Sequence, residues 1–177
     1  MWRAYTDGSA SPNPGPGGAG SVILCNDKVI AELVHTGGNT TNNRMELYAL
    51  IMTYPHLPTD ESVTLYTDSQ YVQKGLTEWI HGWIKRNWQT SAKKPVKNKE
   101  LWQQLIVLRN EYPNVKIEWI KAHNGHKWNE RADELANRGT ERSKQKSAAD
   151  YDIRENGDST CKFDKWIPGE KTKMAQE

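Results

Sequence analysis

Two short β-prone runs in this chain close on the same three residues, Tyr5-Thr6-Asp7 and Tyr66-Thr67-Asp68, and small, turn-forming residues follow each. The pattern predicts that both carboxylates leave the ends of strands. Two further acids, Glu46 in Asn-Asn-Arg-Met-Glu-Leu and Asp133 in Glu-Arg-Ala-Asp-Glu-Leu-Ala, lie in segments of helical composition. Carboxylates that converge at strand ends repel one another unless a cation lies between them. An all-oxygen site for divalent metal, suited to Mg²⁺ or Mn²⁺ better than to zinc, is the economical explanation, and metal-assisted chemistry on phosphate is the function it predicts. An Asx-turn or a helix cap would account for any one of these aspartates, but poorly for the set.

The rest of the chain reads as an α/β order. Residues 2–6 form a strand that enters a Gly/Pro-rich loop, 11–18, whose composition predicts no regular structure. Runs 19–25 and 29–36 flank Asn26-Asp27-Lys28 as a hairpin, and Gly37-Gly38-Asn39 ends the second strand. N-cap candidates at 40–43 precede Met45, Leu47, Leu50 and Ile51 at helical spacing, so Glu46 falls in the opening turns of a helix that Pro55 and Pro58 stop. A strand at 63–67 delivers Asp68, and helical runs then pass Gly75 and Gly82, read as breaks or close-packing points. A helix opens at Asn98 or Lys99, a strand covers 115–120, and a last helix at 128–138 contains Asp133. The prediction is a mixed five-stranded sheet, its first three strands antiparallel, flanked by helices.

At 177 residues the chain suits one ordinary domain. No apolar stretch approaches the length of a membrane span, and Met1 leads into no signal-peptide pattern, so a soluble cytoplasmic protein is expected. Cys25 and Cys161 match no zinc spacing and read as ordinary thiols. Residues 140–177 hold eight basic and eight acidic side chains with little periodic apolar content, so a catalytic domain at 1–139 and a polar, partly disordered extension are expected. One apolar island, Cys161-Lys-Phe-Asp-Lys-Trp-Ile167, is suited to docking on the core or on a partner.

The formal charge of +2 says little by itself, but its distribution does. Residues 79–99 carry Lys85, Arg86, Lys93, Lys94, Lys97 and Lys99 with no acid, interleaved with Trp79, Trp83 and Trp88. Basic groups for phosphates beside aromatics for sugars or bases form a nucleic-acid footprint, although eight tryptophans in one domain must also bury much of their surface.

These segments, together with Lys121-Ala-His-Asn-Gly-His126, closely resemble the bacterial type 1 ribonuclease H family, with five motifs in the family's order from about Tyr5 to Arg138. The resemblance implies a ribonuclease H-like fold and a monomeric endonuclease that hydrolyses the RNA strand of RNA–DNA hybrids. It further implies two Mg²⁺ ions held by Asp7, Glu46, Asp68 and Asp133, with Mn²⁺ able to substitute and Asp7 bridging the pair. His123 would assist proton transfer or product release, and an ordinary pKa near ~6.5 suits that role. His35, His56, His81 and His126 have bland explanations as strand, loop, helix and cap residues.

The same resemblance places Asn13, Asn43 and Gln70 at the RNA minor groove, and Thr41, Trp79 and Trp102 at the DNA strand. It makes 79–99 a basic handle that holds the hybrid through Trp83, Lys85, Lys93, Lys94 and Lys97. Two positions depart from the family: Leu24 stands where some members offer a basic residue to the DNA phosphate, and Ala122 replaces the usual glycine before the histidine. A hybrid-binding module without catalysis and a transposase-like DNA nuclease are the competing functions. Four intact acids count against the first, and the presence of the hybrid-reading motifs counts against the second.

Overall fold

The computed structural model describes residues 1–122 and 125–145. Five strands, β1 (Trp2–Ala10), β2 (Gly15–Cys25), β3 (Lys28–Thr40), β4 (Val63–Thr67) and β5 (Val115–Trp119), form one sheet in the order β3-β2-β1-β4-β5. The central strand β1 is antiparallel to β2 and parallel to β4, and β5 extends the parallel half. The helices are α1 (Asn42–Thr53), α2 (Gln70–Lys74), α3 (Ile80–Lys85), α4 (Lys99–Glu111) and α5 (Lys127–Gln145), with a π-helical turn, Gly75–Trp79, joining α2 to α3. Antiparallel pairing of the first three strands and helical flanking are as the sequence predicts. No helix among the described residues is long and apolar enough to cross a membrane.

Alternation along β1 divides its side chains between two cores. Ala4 joins the larger core with α1 and α4, whereas Tyr5 joins Val22, Leu24, Ala132 and Leu135 beneath α5. Leu24 is fully buried there, so it offers nothing to a phosphate. The last helix lies on β2 through backbone contact. A Cβ built on Gly18 or on Gly20 would sit 2.5 Å from a carbonyl oxygen of α5, that of Ala136 or of Ala132 respectively.

That close packing explains where the strands outrun the sequence prediction. β1 continues through Gly8, Ser9 and Ala10, because small residues there pair with Ala19, Gly18 and Gly17. β2 starts at Gly15, inside the segment expected to be irregular, and its glycines are strand residues selected by the helix above them. β3 passes through Gly37-Gly38-Asn39 to Thr40 by a register shift opposite Gly17 and Gly18, with Gly38 at φ +68°. The hairpin turn is as expected, Asn26 and Asp27 both having positive φ. Gly75 is a close-packing point: a Cβ there would lie 2.1 Å from the Trp102 ring.

α5 runs to Gln145 and so outruns the helix end expected at 138. Its final turns are anchored by Thr140, whose hydroxyl meets that of Ser9, and by Ser143, which is fully buried. The Ser143 hydroxyl donates to the Gly17 carbonyl at 2.7 Å and accepts from the Gly38 N–H at 3.0 Å. The apolar island at 161–167 lies outside the described residues. Ser143→Ala should destabilise the fold by about 1–3 kcal/mol, because two buried backbone groups lose their partner. A chain ending at Thr140 should be less stable than one ending at Gln145 by at least that much, and equal denaturant midpoints for the two would show that the last turn carries no packing.

Candidate active site

Pairing between β1 and β4 stops at Thr6 and Thr67, beyond which β1 continues against β2 alone. Asp7 stands just past this split, within β1 rather than at its end, and Asp68 directly follows β4. Thr41 caps α1 by accepting from the Arg44 N–H at 3.1 Å, and the helix then carries Glu46 back over β1. The Gly8 N–H donates to the Glu46 carboxylate. No side chain fits at Gly8, since a Cβ would lie 2.2 Å from the Met45 carbonyl carbon. Oxygens of Asp7, Glu46 and Asp68 lie within 4.8 Å of one another. Asp133, on the face of α5 that lines the same cleft, shares a hydrogen bond with Asp7. All four predicted acids therefore meet.

Burial raises the Asp7 carboxyl far above the usual carboxylate range, and the Glu46, Asp133 and Asp68 side chains raise it further. Glu46 is also raised, by burial first and by the charge of Asp68, against hydrogen bonds from Asp7, the Gly8 N–H and Ser69 that lower it. Carboxylates so placed offer only oxygen donors, and a divalent cation among them would offset their mutual repulsion. Raised folded-state values mean that the cluster favours folding most below the ordinary carboxylate range near ~4, and that this contribution is lost as pH rises toward the folded values. Asp7→Asn mimics the protonated acid. Without metal it should melt above the wild-type protein at pH 8, with the gap narrowing toward pH 5, and it should lose metal-dependent turnover. Near-normal turnover by this variant would remove Asp7 from the ligand set.

Asn43 and Gln70 line the acid cleft. Asn13 lies beside it, its side-chain oxygen accepting from the Asn42 N–H at 3.1 Å, while Asn42 accepts from the Ala10 N–H at 2.6 Å. His123 falls outside the described residues. Residues 86–98 form a turn beyond α3, closed by the Thr90 N–H donating to the Lys94 carbonyl at 2.7 Å, with Lys93 in the left-handed region at φ 62°. Lys85, Lys93, Lys94 and Lys97 are exposed.

The expected role of the tryptophans needs correction. Trp102 is fully buried and presents no face to nucleic acid, whereas Trp83, 9% exposed, shows only an edge in a surface groove that it lines with Trp79, Arg86, Lys94 and Lys97. Trp83 and Trp102 pack on each other at 5.3 Å between centroids, and Trp83 packs against Trp79, which is 37% exposed. The sequence pattern did not single out Tyr71, whose hydroxyl accepts from both Trp102 Nε1 at 2.9 Å and Asn98 Nδ2 at 3.1 Å. Its one signal was adjacency to Gln70.

Fold and site together define a domain of the ribonuclease H-like class. The RNase H family model matches residues 2–141. A ribonuclease H of Chromobacterium violaceum is 53% identical over 137 residues, 77% of this chain and 92% of its own. One from Rhizobium etli is 51% identical over 147 residues, 83% of this chain and 96% of its own. Among solved structures, LC11-RNase H1 in complex with an RNA/DNA hybrid superposes with TM-score 0.64 at 27% identity, covering 82% of this chain and 100% of that one. RNase H1 from the archaeon Halobacterium salinarum superposes with TM-score 0.58 at 30% identity, over 80% of this chain and 98% of its own. The chain belongs to the ribonuclease H family.

Proposed function

We propose that this protein is an endonuclease that hydrolyses the RNA strand of RNA–DNA hybrids, leaving 5′-phosphate and 3′-hydroxyl ends. The observation that carries it is the acid cluster at the β1–β4 split, in a family member that also presents an exposed basic turn. Asp7, Glu46, Asp68 and Asp133 would hold two divalent cations, Mg²⁺ with Mn²⁺ as substitute, which would supply activation of a water and neutralisation of charge on the departing 3′ oxygen. The chain's own part is to place the scissile phosphate at that cluster. Asn13, Asn43 and Gln70 take the 2′-hydroxyls that distinguish RNA from DNA. Thr41 and the exposed ring of Trp79 meet the DNA strand, with Trp83 packed against Trp79 and Trp102 packed in turn against Trp83. Lys85, Lys93, Lys94 and Lys97 neutralise phosphates distant from the reacting one. His123 assists proton transfer or product release. The protein works in this reading as a cytoplasmic monomer.

Cleavage of end-labelled hybrid, duplex DNA and duplex RNA in Mg²⁺ tests the proposal. The hybrid's RNA strand should be cut to 5′-phosphate products while both duplexes survive. Binding without cleavage would favour the hybrid-binding module, and DNA cleavage the transposase-like function. Replacing Lys93, Lys94 and Lys97 together with Ala should raise KM far more than it lowers kcat. The slope of log affinity against log salt should flatten by about 0.7–0.9 for each phosphate that the variant leaves unneutralised. An unchanged slope would leave these lysines as a solvated surface.

A further inference from the structure

We propose that Trp119 is a positioning residue for Asp68, fixing the direction of its carboxylate through the backbone without touching nucleic acid; this rests on the nuclease function proposed above. Asp68 occupies a single-residue step between the last paired residue of β4, Thr67, and Ser69, which caps α2 by accepting from the Val72 N–H at 3.1 Å. Both flanking residues are pinned. The Thr67 carbonyl accepts from the Ile120 N–H at 2.9 Å, and the Thr67 hydroxyl accepts from the Ser69 N–H at 3.1 Å. The indole Nε1–H of Trp119 donates to the carbonyl of Asp68 itself at 3.1 Å.

The peptide plane that follows Asp68 sets the residue's backbone angles, and these aim its side chain. A donor on that carbonyl therefore acts on the carboxylate's placement toward Asp7 and Glu46. Trp119 reaches it because it is the last residue of β5, in register with Thr67, so that its ring spans the end of β4. The ring does not line the acid cleft. It borders a separate depression with Gln73, Arg109 and Lys116, and it is 36% exposed. An effect of this side chain on the reaction thus passes through Asp68.

Trp119→Phe removes the N–H and keeps most of the ring. Loss of one neutral hydrogen bond corresponds to a factor of about two to ten, and that factor should appear in three places. Turnover of hybrid at saturating Mg²⁺ should fall by it, the half-saturating Mg²⁺ concentration should rise by it, and Mn²⁺ should bind more weakly by it in calorimetry without substrate. KM for the hybrid should stay at the wild-type value. In the wild-type protein the indole ¹H–¹⁵N resonance of Trp119 should shift in step with Mg²⁺ titration, a reading that stands even where the Phe variant fails to fold. Wild-type turnover and Mn²⁺ affinity in the variant would overturn the proposal, as would a raised KM at unchanged kcat or an indole resonance that ignores Mg²⁺. If the wild-type protein cuts no hybrid, the functional reading fails, while the ratio of Mn²⁺ affinities still decides the role of Trp119.

Discussion

Helix backbone resting directly on strand glycine is the contact from which the site is built. α1 touches β1 at Gly8 and α5 touches β2 at Gly18 and Gly20, in each case with no room for a Cβ. A side chain at any of these positions would hold its helix away from the sheet, and Glu46 or Asp133 would move away from Asp7. Glycine lowers intrinsic strand stability, so the two helices must restore order that the strand residues themselves lack. They do so through the buried apolar faces on either side of β1 and through Ser143, which binds the backbone of both β2 and β3.

The cluster so assembled works against the fold that assembles it. Burial first, and then the charges of neighbouring acids, raise the proton affinity of Asp7 and Glu46, so the metal-free protein is destabilised as those protons are lost. Neutralising one acid therefore favours the fold and removes the chemistry. The polar backbone contacts around the cluster, from the Gly8 N–H to Glu46 and from Trp119 to Asp68, hold each carboxylate in place without cancelling its charge.

The basic turn is tied to the acids through α1. Arg44, two residues before Glu46, donates to Asn98 at 3.1 Å and pairs with Glu100 at 2.6 Å, where the turn runs into α4. An exposed ion pair of this kind contributes little stability. Its value lies in register, since Asn98 also donates to Tyr71, and Tyr71 packs edge-on against Trp79 at 5.9 Å. The exposed tryptophan and the acid cluster are in this way referred to the same helix.

The sequence alone determined the element order, the hairpin at Asn26-Asp27, the strand at 63–67 and the four acids, because turn chemistry, β-propensity and helical spacing are local and each acid follows a local signal. It misjudged the glycine segments at 15–18 and 37–39, the end of the last helix at 138 and the burial of Trp102. A glycine run reads as a loop until a helix lies on it, and a tryptophan reads the same whether it faces a nucleic acid or a neighbouring ring. Helix α5 outran its predicted end because Ser143 is held by strands more than a hundred residues earlier in the chain. Convergence of Asp7, Glu46, Asp68 and Asp133 on one cleft, and the hydrogen bond from Trp119 to Asp68, were decided by tertiary structure, since they depend on how closely helices approach the sheet and on which strand ends lie side by side.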